Sequence, residues 1–188
     1  MTGSAFGSVV VLAIAVAACA PATPTVAQLQ DGRTALRRLA DSTERLVASA
    51  VESSDSAALV ATLATRDTVL EGIRSNVLAA RSSVERASLR LAQAVEHGER
   101  LRLGVIAHTR GSRQADDFER YWLRGREKLS LARAYSNDAV ATADSALGCP
   151  QSACTISRTR LFNTQVSSAS GATREAESLV RVAMRYVE

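Results

Sequence analysis

Apolar residues recur every three or four positions through most of this chain. Reading from Leu59 in alternating steps of four and three gives Leu59, Leu63, Arg66, Leu70, Ile73, Val77, Ala80, Val84, Ala87, Leu91, Ala94, Gly98, Leu101 and Val105, of which twelve of fourteen are apolar side chains. Composition alone would give roughly half, so the period is helical. It predicts one long helix, or two nearly collinear ones, over 56–109. Asp55 or the serines before it would cap the start, and Gly111 would stop the end. Such a rod would run about 80 Å, with a bend expected at the His97–Gly98 pair.

The same pattern recurs on either side. Before it stand Leu29, Gly32, Leu36, Leu39, Thr43, Leu46 and Ala50, opened by Thr25 and Gln28 at capping-box spacing. After it come Phe118, Trp122, Gly125, Leu129, Ala132, Ser136, Ala139, Ala143 and Ala146, closed by Gly148 and Pro150. A last set holds Phe162, Val166, Ala169, Thr173, Ala176, Val180, Ala183 and Val187. Four helices with three short connections must run antiparallel to their neighbours. The sequence therefore predicts an all-α fold, an elongated antiparallel four-helix bundle with coiled-coil-like heptads and one very long helix. Val60, Val69, Leu78, Val95 and Leu103 fall outside the narrow seam and should widen the apolar face beyond that of a two-stranded zipper, favouring a monomer.

Composition agrees with this pattern. The chain has 188 residues, 46% hydrophobic and 22% charged, with 4% aromatic and three prolines. That is globular, long enough for one core, and biased toward helix.

The start is different. "FGSVVVLAIAVAACA" is uncharged and apolar from Val9 to Ala18, too short to span a bilayer but matching the apolar region of a secretory signal. Val16, Ala17, Ala18 and Cys19 resemble the lipobox of bacterial lipoproteins, and the resemblance covers residues 1–19 alone. It implies a signal peptide over 1–18, lipidation of Cys19, and a linker over 19–24 leading to a single domain over 25–188. Ala20 and Pro21 follow the cysteine in place of Asp, which in that family resembles the outer-membrane sorting pattern, so the expected location is the periplasmic face of the outer membrane. Ordinary signal cleavage after Ala27 and an uncleaved membrane-proximal anchor are the two alternatives.

With Cys19 set aside, Cys149 and Cys154 remain as an even pair suited to an oxidising compartment and to a structural disulfide at a hairpin tip. Four residues intervene where a thioredoxin-like redox motif has two. The two histidines, His97 and His108, lie eleven residues apart and far from the cysteines, so no metal site is expected. The chain holds no Gly-rich phosphate loop, no HExxH and no GxSxG. No cofactor and no enzymatic activity are expected.

Charge gives one further lead. Between His97 and Arg133 nine basic residues face five acidic ones, an excess equal to the net charge of +4. Arg102, Arg110, Arg113, Arg120 and Arg124 are the candidate anion-binding residues, set beside Tyr121 and the single tryptophan, Trp122. The competing reading is a solvated helix connection. So modest a surplus disfavours nucleic acid. The expected function is a non-enzymatic, lipid-anchored envelope protein acting as a helical scaffold or interaction module. Its expected partners are the membrane through the lipid anchor and an anionic lipid, envelope polymer or protein. The alternative is a periplasmic carrier of a small molecule or lipid.

Overall fold

A heptad of buried side chains runs through each of four helices: α1 (Val26–Arg66), α2 (Leu70–His108), α3 (Arg113–Leu147) and α4 (Ser152–Met184). The computed structural model describes residues 26–109 and 111–187. The signal, lipobox and linker over 1–24, the Thr25–Gln28 capping box and Arg110 lie outside the described residues. The fold is all-α. Successive helices are antiparallel; α1 packs on α2 and α4, α3 packs on α2 and α4, and α2 touches α4 lightly across the bundle.

The first connection is not where the heptad placed it. The helix predicted over 56–109 is divided at 67–69, while 51–55 is helical and belongs to α1. The Asp67 carboxylate accepts a hydrogen bond from the Val69 N–H at 3.0 Å, which folds the chain in an Asx-type turn, and Val69 is extended. A Cβ on Gly72 would overlap the Asp67 carboxylate, so the second helix can begin close beside the turn. The register of α1 shifts accordingly. Its buried positions are Leu36, Ala40, Thr43, Val47, Ala50, Ser53, Ser54, Ala57, Ala61 and Ala64, with Leu39 and Leu46 half-buried. Leu59 and Leu63, read as interior, are 65% and 48% exposed. Val69, Leu78 and Leu103 are exposed too, so they do not widen the apolar face, whereas Val60 and Val95 are partly buried. Leucine is a strong helix former, and single exposed leucines are ordinary.

From Ile73 onward the predicted seam of α2 is buried through Val105, and that of α3 from Phe118 to Ala146 is buried at every position. In α4 it is buried from Phe162 to Ala183. α2 continues as helix through His97 and Gly98. Gly111 ends the second hairpin connection with φ 77°, and the Ser112 hydroxyl caps α3 by accepting from the Ala115 N–H at 3.2 Å. Cys149 and Cys154 sit at disulfide distance, Cα to Cα 5.8 Å, across the turn between α3 and α4.

The core has two apolar parts. One lies toward the α2–α3 turn, with Leu36, Leu101, Phe118, Trp122 and Val180; the other lies toward the α1–α2 and α3–α4 turns, with Ile73, Val77, Val84, Phe162 and Val166. Between them the four helices contribute the small residues Ser54, Ala87, Ser136 and Ser170, all buried. Hydroxyls in the core are mostly satisfied within their own helix. Thr43, Ser136, Thr159 and Thr173 each donate to the carbonyl four residues earlier, at 2.7–2.9 Å. These four hydroxyls sit in the core with their donors satisfied, whereas the buried Ser54 Oγ has no partner.

Candidate functional site

Antiparallel order brings three distant stretches of the chain to one end of the bundle: the start of α1, the α2–α3 turn, and the end of α4. Close approach of the first two is permitted by glycine. A Cβ at Gly32 would come within 2.5 Å of His108 Nε2, and one at Gly104 within 2.5 Å of Leu36 Cδ2. On the other side Tyr121 and Tyr186 stack with centroids 5.8 Å apart and ring planes 10° apart.

Trp122 anchors this end. It is fully buried, its ring fills the space beside Gly98, and its Nε1 donates to Glu99 Oε1 at 3.0 Å. Arg126 reaches the same oxygen at 3.1 Å, Arg102 donates to Glu99 Oε2 at 3.0 Å, and the other arm of Arg102 reaches Glu119 at 2.7 Å. Burial alone would raise the Glu99 pKa. The Trp122, Arg102 and Arg126 donors outweigh it together and hold the carboxyl below its ordinary value. Arg102, for its part, is held above the ordinary arginine value, chiefly by its hydrogen bond to Glu99.

The predicted anion-binding residues therefore separate. Arg102 belongs to this ionic seam between α2 and α3. Arg113, Arg120 and Arg124 share one outward row of α3, at spacings of seven and four. Asp117 sits within that row, 3.9 Å from Arg113 and 3.6 Å from Arg120, while Arg124 makes no ion pair among the described residues. Arg110 lies outside the described residues.

Sequence spacing had not pointed to the basic groups on α1 and α4. A cleft of about 340 Å³ opens where all four helices meet at this end, lined among others by Arg33, Leu36, His108, Gln114, Tyr186 and Val187. A groove between α1 and α4 adjoins it, lined by Asp41, Glu44, Arg181 and Arg185 and sharing Arg37 and Val187 with the cleft. Arg33 and Arg185 are exposed and form no ion pair among the described residues. Among the described residues, the segments 26–38, 102–120 and 178–187 hold eight basic and four acidic side chains, an excess of four. The one signal in the sequence was the charge count, which the fold redistributes over three segments.

The histidines have local partners. His97 Nδ1 lies 3.0 Å from Ser42 Oγ, and His108 Nδ1 lies 2.8 Å from the Gly104 carbonyl. Among the described residues no group of three or more His, Cys, Asp or Glu side chains is placed to hold a metal ion. Neither a protein-family model nor a curated protein matches this chain.

Proposed function

We propose that this chain is a non-enzymatic, lipid-anchored protein of the bacterial cell envelope, held at the periplasmic face of the outer membrane as a helical scaffold or interaction module. The observation that carries the reading is positional. The uncharged apolar start with its lipobox-like cysteine leads into α1 at the same end of the bundle that collects the basic side chains. From Cys19 to the first residue of α1 the chain can extend about 25 Å, so an acylated Cys19 would hold that end near the bilayer. A carrier would need volume between the helices. The described interior is filled instead by alanines and small hydroxyl residues, many with no exposed surface.

The test is the fate of Cys19 in its native host. The mature product should carry acyl mass at Cys19 and partition into detergent, and Cys19→Ser should abolish both. A soluble product beginning at Gln28 would overturn the anchor.

A further inference from the structure

We propose that the basic end of the bundle is itself a docking surface for anionic phospholipid headgroups, so that the bundle stands end-on upon the bilayer. This deepens the anchored reading but does not need the acyl chains. The surface is assembled from one arginine of each converging segment: Arg33 of α1, Arg113 at the first position of α3, and Arg185 just after α4. Arg33 and Arg185 are exposed without an ion pair among the described residues. The Arg113 side chain is 96% exposed, with its one carboxylate neighbour at 3.9 Å. Beside them the cleft joins an apolar floor of Leu36 and Val187 to a rim of Arg33, His108 and Gln114. Exposed positive charge suits anionic phosphates, and the apolar floor suits the glycerol region behind them.

Distance makes this an end-specific prediction. Counter-ions screen charge over about 8 Å at physiological ionic strength. Arg33 and Arg66 lie at opposite ends of α1, about 50 Å apart by helical rise. When the basic end meets a bilayer, Arg66, Arg158 and Arg160 at the far end are beyond the reach of its potential. Each arginine within reach of an anionic surface is worth about 1 kcal/mol, or roughly fivefold in partitioning.

The experiment uses the full chain carrying Cys19→Ser, sedimented with vesicles of phosphatidylglycerol or of phosphatidylcholine across a salt series. The apolar start partitions into both, and the ratio between the two vesicle types reports the headgroup contact. The expected result is a preference for phosphatidylglycerol that falls with salt. Joint replacement Arg33→Gln, Arg113→Gln and Arg185→Gln should lower that ratio at least tenfold. Arg66→Gln, Arg158→Gln and Arg160→Gln remove the same charge from the far end and should change it less than about twofold. Lysine at positions 33, 113 and 185 should keep the preference, which guards against a loss caused by misfolding. Absence of a phosphatidylglycerol preference, equal losses in the two glutamine triples, or loss in the lysine triple would overturn the proposal. Because the chain tested has no acylated cysteine, each result is independent of the fate of Cys19.

Discussion

The indole ring of Trp122 occupies the space that a side chain at Gly98 would need, and the neighbouring residue, Glu99, accepts the hydrogen bond from its Nε1. A bulky fixed ring cannot yield as a flexible side chain can. Gly98→Ala should therefore displace Trp122 and destabilise the bundle by about 3 kcal/mol, the upper range of overpacking costs. Urea unfolding followed by the fluorescence of this single tryptophan checks both parts: a lower midpoint, and emission shifted to the red before unfolding begins. An unchanged midpoint would show that the ring has somewhere else to go.

Ala57 and Leu59 test the register of α1. Ala57 has no exposed surface, whereas Leu59, although larger and more apolar, is 65% exposed. Ala57→Asp should cost several kcal/mol by burying a carboxylate with no partner, and Leu59→Asp should stay within about 0.5 kcal/mol of the parent. Thermal melts of the two variants decide it. The reverse order would restore the heptad phase read through the turn at 67–69.

Glu99 gives stability a dependence on acid. Its folded pKa lies below the ordinary glutamate value, so its contribution is present above that ordinary value and is lost as pH falls through the depressed one. Asp55, its pKa lowered by Arg174 and Ser170 against the opposing effect of burial, acts in the same direction. Denaturation midpoints of Glu99→Gln should be lower than those of the parent at neutral pH, and should converge on them as the pH drops below 4.5, the ordinary value for glutamate. A constant gap between the two across the acid range would remove Glu99 as the titrating group.

Two helices and the greater part of a third were legible because their seams carry Phe118, Trp122, Phe162 and a run of valines whose spacing has one interpretation. The boundary between α1 and α2 was not. Leu59, Leu63 and Leu70 continue the heptad across it by coincidence of phase, and what bends the chain is a local hydrogen bond from Val69 to Asp67. Periodicity records which positions are apolar, and alanine at 57, 61 and 64 competes poorly against leucine at 59 and 63 in such a count. The Glu99 cluster was hidden for another reason. Glu99, Arg102, Glu119, Trp122 and Arg126 are drawn from two helices, and only the antiparallel alignment brings the two sets to the same height. The basic end likewise brings Arg33 and Arg185 to adjoining grooves, although they are almost the length of the domain apart in sequence.

The start of α1 and the end of α4 lie together, and these two helices pack against each other along an antiparallel interface. Tension applied between them, with one end held at a surface and the other pulled away, would load that interface as a zipper. The contact of Asp55 with Ser170 and Arg174 and that of Thr62 with Asn163 would be stressed in succession from the held end, never all at once. The far hairpin turns, one of them bridged by Cys149 and Cys154, would be reached last. A pull between α1 and α4 would thus open the bundle contact by contact instead of shearing the whole interface together.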